Sequence, residues 1–379
     1  MCSIKYNKKY NIYKSLSAIF LSAVILFAAM LTVGCGDKSD HLSVNLLGAS
    51  VNLYLVNEMA VAADTKKDIN KTVKDLADRI NNAFSVEGDS PVYAFNGQSG
   101  KKSVAIDGDI KYVFDRAKDL YQLTDGALNP ALKPLVDLWG FSARYQDVGY
   151  TPKAPFDRER LADGGFSLPD QRYVDGFRLL ADFSRISLKT DGAGYSLTAD
   201  DWYVTVDGRD YYQALDFSAL LKGYFTDLVK DAMEGFSIDG YYVTAGGSSL
   251  YLGNVNGGDW DLTVINPFSA KREGILSVKV KDKFVSTSGT YENFYDLDGT
   301  RYCHIIDGKT GAPTQSDVAS CTIICDDGLL SDGLSTALVV MGSQRAQALL
   351  KDCPEVSYIL ILSDGSVLSN VEEDITFLK

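Results

Sequence analysis

The chain has 379 residues, 46% of them hydrophobic, with 50 acidic against 37 basic side chains and a formal net charge of −13. This is enough apolar sequence for a sizeable buried core, and the acidic excess repels phosphate backbones, which argues against nucleic acid as a partner. The six cysteines show no disulfide framework: Cys321 and Cys325 stand four apart in the strand-like "ASCTIIC", roughly 13 Å at strand rise and too far to pair.

Residues 1–34 read as a lipoprotein signal peptide. Lys5, Lys8, Lys9 and Lys14 precede an apolar run from Ile19 to Val33, a charged region followed by a hydrophobic one. The run ends in "LTVGC", which resembles a lipobox with Cys35 as the acylated mature N-terminus, although Thr32 stands where Leu is usual. The alternative is a single anchor helix with an incidental cysteine. Two acyl chains suffice for stable anchoring, so the expected location is the extracytoplasmic face of the cell membrane. Cleavage would take the net charge from −13 to −17 by removing four lysines and no acids. Residues 35–42 form the acylated end and a polar linker, and 43–379 form the folded domain.

"VNLYLVNE" (51–58) alternates as a strand does. "KKDINKTVKDLADRINNAF" predicts an amphipathic helix with Ile69, Val73, Leu76 and Ile80 on one stripe, and "IKYVFDRAKDLYQLT" a second with Val113, Ala117 and Leu120 inward. Residues 142–211, rich in Gly, Asp and Arg, read as a surface insertion that ends in a hairpin around Asp207-Gly208. "DFSALLKGYFTDLV" passes from a strand-like end into a helix, with Asp216 and Lys222 at the junction. The later strands are "GYYVTAG", "SLYLGN", "WDLTVIN", "ILSVKVKD", "KFVSTSG", "ASCTIIC" and "VSYILIL". Without regular strand–helix alternation, the expected class is α+β, a single large domain of mixed or antiparallel sheets flanked by helices.

Several segments carry chemistry. Asp216 and Lys222 alone could be a helix cap and a solvated lysine. Gly246-Gly247 after an apolar strand lets a backbone turn and offer N–H groups to an anion. Thr287, Ser288 and Gly289 read as a tight turn of small hydroxyl residues. His304, one of two histidines, leads in a strand toward Asp307-Gly308. Asp332 and Thr336 stand at i and i+4 of a helix expected from Ser331, which sets two oxygens on one face as a hard cation needs. The plainer reading is an N-terminal Asp and a core-facing Thr.

In this order the segments resemble the FAD:protein FMN transferase, or ApbE, family. "FSVEGDSPVYAFN" echoes its opening pattern through Asp89, Ser90, Phe95 and Asn96. "TDGALNPALKPLVDLWGF", "DFSALLKGYFTD", "AGG", "TSG", "HIIDGKTGAP" and "SDGLSTAL" follow, so the similarity runs from about Ser85 to the C-terminus. The resemblance implies FAD as substrate, held by Ala127, Leu128, Asn129, Asp216, Lys222, Gly246, Gly247, Thr287, Ser288 and Ile305. It implies Mg²⁺ held by the Ala219 carbonyl, the Asp332 carboxylate and the Thr336 hydroxyl. His304 would activate a Thr or Ser hydroxyl of an exported flavoprotein, with Asp307 ordering its loop. Departures from the pattern are Val86 for an aromatic, Leu128-Asn129 for Phe-Asp, Ala131 for Thr, Gly308 for Pro and Ser335 for a second carboxylate. FAD pyrophosphatase activity, or a surface lipoprotein that binds flavin without catalysis, are the alternatives.

Overall fold

Eight strands, each antiparallel to its neighbour, form the main sheet, and they lie side by side in the order in which they occur in the chain. They are β1 (Leu42–Leu46), β2 (Ala49–Leu55), β3 (Gly240–Ala245), β4 (Ser248–Gly253), β5 (Lys283–Gly289), β6 (Val318–Cys325), β7 (Ser357–Leu362) and β8 (Val367–Ser369). The computed structural model describes residues 42–98, 102–141, 168–192, 194–255, 257–371 and 375–378, all within one compact unit that runs from His41 to the C-terminus. Cys35 and residues 142–167 of the expected insertion lie outside the described residues.

All eight residues of β6 are buried, which is why its sequence is a continuous apolar run rather than an alternating one. On one face Phe284, Cys321, Ile323 and Cys325 pack into a core shared with four helices: α1 (Ala63–Phe84), α2 (Gly108–Leu123), α3 (Ser218–Met233) and α4 (Gly328–Met341). On the other face Val285, Ile324, Ile359 and Ile361 meet Trp260, Val264, Leu276 and Val278 of a small sheet built from Trp260–Ile265, Gly274–Val280 and Ile375–Phe377. The predicted stripes hold: Ile69, Val73 and Ile80 of α1 and Val113, Ala117 and Leu120 of α2 are buried, while Leu76 is partly buried against the same core. The four described cysteines that lie in the folded body are free.

A second core gathers Leu135, Leu138, Trp139, Phe177, Val206, Tyr211 and Ile306. The described part of the 142–211 stretch contributes the helix Gln171–Leu180 and the hairpin Tyr203–Val206/Arg209–Tyr212 to it. Asp207 (φ 47) and Gly208 (φ 74) make the turn of that hairpin, as the Asp-Gly pair predicts.

The arrangement that positions the site is the crossing of α3 and α4. A Cβ on Gly223 would lie 2.0 Å from the Gly328 carbonyl oxygen, and one on Gly328 would lie 2.4 Å from the Gly223 oxygen. Only two glycines let the backbones meet in this way. The start of α4 is then fixed by carboxylates. Asp327 accepts from the Leu330 N–H at 2.7 Å, and Asp227 of α3 accepts from the Gly328 and Leu329 N–H groups at 2.7 and 2.9 Å. Three of the four amides that a helix leaves unpaired at its start are thereby satisfied.

Candidate functional site

Asp332 sits beside the α3–α4 crossing and is 3% exposed. Because α4 begins at Gly328 rather than Ser331, Asp332 lies in the second turn, and the plainer reading of a helix-capping Asp does not apply to it. Its Oδ1 accepts from the Ser248 hydroxyl at 2.9 Å, and its Oδ2 accepts from the Gly223 N–H at 3.0 Å. The Lys222 ammonium stands 3.6 Å from Oδ2 and donates to the Ser218 carbonyl at 3.0 Å. A buried carboxylate costs free energy unless it is paired and hydrogen-bonded, and these three donors meet that need.

Lys222 is held from behind by the β3–β4 turn. Gly246 takes a left-handed φ of 58°, and a Cβ there would lie 3.1 Å from Lys222 Cδ. A Cβ on Gly247 would lie 2.6 Å from the Thr287 carbonyl oxygen. The pair therefore makes a two-residue turn pressed between Lys222 and β5, and glycine is required at both positions for that packing.

The "VSTSG" segment lies in strand β5, as the strand reading of "KFVSTSG" expects, and Thr287 to Gly289 do not form the tight turn expected from their small residues. Its side chains alternate, so Thr287 and Ser288 face opposite sides of the sheet. Ser288 Oγ lies 2.8 Å from Ser335 Oγ and 3.0 Å from Thr336 Oγ1 on α4, whereas Thr287 Oγ1 pairs with Thr322 at 2.9 Å. Ser288 joins the Asp332 cluster; the Thr287 side chain does not.

Asp216 precedes α3 and accepts from the Ser218 N–H at 2.8 Å, while its own N–H donates to the Pro130 carbonyl at 2.8 Å. Ala219 lies in the first turn of α3. In a regular helix its carbonyl is served by the Gly223 N–H, the group that here reaches Asp332 Oδ2. Leu128 packs within 3.4 Å of a Cβ built on Gly333, next to Asp332. Ala127, Leu128 and Ile305 are buried in the main core, and the N–H groups of Ala127 and Leu128 are taken by the Thr124 carbonyl and hydroxyl. Asn129 donates to the Ala181 carbonyl at 2.7 Å and accepts from the Ala131 N–H at 2.9 Å.

His304 follows the strand Thr300–Cys303 rather than lying within it. Its N–H donates to the Asn293 carbonyl at 2.8 Å, and Nδ1 lies 3.3 Å from the same oxygen. Burial pushes the imidazole below its usual value; the Asn293 carbonyl opposes this, the Lys222 charge adds to it and Glu292 opposes it. Asp307 instead accepts from the Lys309 N–H at 2.8 Å, and its carbonyl accepts from Gly311 at 2.8 Å, so it orders its own turn.

Sequence reasoning missed Ser248 and Ser286 behind the site and named Asn96 only as part of the opening motif. Ser248 and Ser286 are buried, and Asn96 clamps Leu215, the residue before Asp216, by donating to its carbonyl at 2.9 Å and accepting from its N–H at 2.7 Å. A buried Asn within an apolar helix was the available signal.

Among the described residues no three His, Cys, Asp or Glu side chains converge as metal ligands. A cation at Asp332 would therefore be held by one carboxylate with hydroxyl and carbonyl oxygens, an all-oxygen set that suits a hard ion such as Mg²⁺. The fully buried carboxylate, the Thr336 hydroxyl on its helix face and the first-turn carbonyls of α3 fit that description.

The profile of the ApbE family matches residues 47–360. The chain belongs to the ApbE family. The match starts well before Ser85, where the sequence motifs first become visible. Among similar curated proteins, a Vibrio cholerae FAD:protein FMN transferase is 29% identical over 86% of this chain and 89% of its own. A Treponema pallidum protein of the same name is 31% identical over 74% of this chain and 72% of its own. The solved structure of the flavin transferase ApbE from Vibrio cholerae superposes with a TM-score of 0.68 at 26% identity, covering 87% of this chain and 95% of the other. The α+β class with antiparallel sheets in one domain is the ApbE fold.

Two of the positions expected from the resemblance to depart from the family pattern, Gly308 and Asn129, touch each other. A Cβ on Gly308 would lie 3.2 Å from Asn129 Nδ2, so the glycine leaves room for the Asn129 amide. Ser335, where the resemblance leads one to expect a second carboxylate, is buried and donates to the Asp332 carbonyl at 2.9 Å. Val86 packs partly buried against the main core.

Proposed function

We propose that this protein transfers the FMN half of FAD to a Thr or Ser hydroxyl of an exported flavoprotein, in the presence of Mg²⁺, and releases AMP. The observation that carries the reading is the buried Asp332 carboxylate at a glycine–glycine helix crossing, with Lys222 and an all-oxygen surround. The acceptor oxygen attacks the phosphorus of the FMN half, the phosphoanhydride bond breaks, and AMP leaves with the bridging oxygen. In this reading Lys222 meets negative charge on the pyrophosphate, and Asp332, Thr336 and the Ala219 carbonyl would hold the cation. Bound there, Mg²⁺ would stabilise charge on the nonbridging oxygens. Burial lowers the His304 pKa and so favours the neutral imidazole, the form that can take the hydroxyl proton.

The export reading rests on the lysines, the apolar run and Cys35. No helix among the described residues is long and apolar enough to cross a membrane. Incubating the protein with FAD, Mg²⁺ and a candidate acceptor domain tests the function: AMP release with a mass gain of one FMN on the acceptor is expected. AMP and free FMN without that gain would mean pyrophosphatase activity, and no AMP at all would refute both.

A further inference from the structure

Behind Asp332 runs a line of hydroxyls that the reaction itself does not use. Ser331 Oγ lies 2.7 Å from Ser286 Oγ, Ser286 donates to Ser248 at 3.2 Å, and Ser248 donates to Asp332 Oδ1 at 2.9 Å. All four residues are buried, and they come from α4, β5 and β4. A hydroxyl has one proton, and a carboxylate only accepts. With the Ser248 proton on Asp332 and the Ser286 proton on Ser248, the single Ser331 proton is shared between Ser286 and the Gly328 carbonyl, to which Ser331 donates at 2.8 Å. The two bonds from Ser286 through Ser248 to Asp332 then point toward the carboxylate, and each strengthens the other.

We infer that Ser248 and Ser286 are positioning residues for the cation and FAD site: they hold Oδ1 inward and leave Oδ2 as the oxygen presented to Lys222 and the ligand. This rests on the reading of Asp332 as a cation ligand. Packing of the helices on the sheet does not require the hydroxyls, since Phe284, Cys321, Ile323 and Cys325 fill the same face with apolar or weakly polar groups. A hydroxyl line through such a face is costly unless every member is satisfied, and this one ends on the carboxylate at the proposed centre of the chemistry.

The test is Mn²⁺ titration by electron paramagnetic resonance without FAD, on the parent, Asp332→Asn, Ser248→Ala, Ser248→Thr and Ser286→Ala, each well below its melting temperature. Loss of a partner that orients a metal ligand typically weakens affinity 10–100-fold. Ser248→Ala should fall by about 10-fold and Ser286→Ala, one bond further away, by about 3-fold, while Ser248→Thr keeps the hydroxyl and stays near the parent. Asp332→Asn should bind no Mn²⁺; if it binds like the parent, the cation reading fails and the inference with it. If Asp332→Asn loses Mn²⁺ but both alanine variants bind like the parent, the hydroxyls only fill the core and the inference is overturned. Should Ser248→Ala not fold, Ser286→Ala decides the matter on the same criterion.

Discussion

Replacing Lys222 with methionine should tighten, not weaken, the grip of the site on a divalent cation in the absence of FAD. Lys222 is the one cation paired with Asp332 among the described residues, at 3.6 Å, with the lysine side chain 27% exposed and the carboxylate 4%. An incoming metal ion must share that carboxylate with the ammonium or displace it. At an effective dielectric of about 20, two charges at that distance interact with roughly 4–5 kcal/mol. Solvent at the partly open lysine and the freedom of its stem reduce this to roughly 1–2 kcal/mol, or about 5–30-fold in affinity. Methionine keeps most of the stem that packs on Gly246 while removing the charge, so the turn behind it should hold. Mn²⁺ titration of parent and Lys222→Met measures the effect directly. FAD affinity at saturating Mg²⁺ should fall in the same variant, because the ammonium released from Asp332 is the group assigned to the pyrophosphate. Unchanged or weaker Mn²⁺ binding by a folded Lys222→Met would refute the reasoning.

The pH profile offers a second test. Because the His304 pKa is lowered and the neutral ring is the base, activity should fall with acidification through a limb below about 6.5. Lys222→Met should move that limb upward, and His304→Ala should abolish it with a loss of about 10²–10⁴-fold; an unmoved limb would show that another group titrates. Gly223→Ala would put a methyl 2.0 Å from the Gly328 carbonyl, and overpacking of this kind costs about 1–3 kcal/mol or more. A clear fall in melting temperature, with loss of Mn²⁺ binding, is the expected result of a thermal scan. Labelled fatty acid should enter the chain through Cys35, and Cys35→Ser should leave an unlabelled, uncleaved or released protein; continued labelling would dismiss the lipobox.

The sequence by itself determined the elements and their order. Periodicity marked α1 and α2 because their contacts repeat every turn of one helix, and the Asp207-Gly208 turn was legible because its left-handed backbone is a local demand met by few residues. Motif order pointed to the ApbE family through Asp216, Lys222, His304 and Asp332. What needed the tertiary structure was everything set between segments. Nothing in "VSTSG" says that Ser288 faces α4 while Thr287 faces away, because a strand and a turn of small residues look alike until the neighbouring strands fix the register. The glycine after Lys222 could have served a ligand, yet its nearest atom is a backbone oxygen more than one hundred residues along the chain, at Gly328. Ser248 and Ser286 are ordinary small strand residues when read in line; they acquire a role only where β4, β5 and α4 converge on Asp332, because a hydrogen bond between distant segments depends on where folding brings the donor and acceptor.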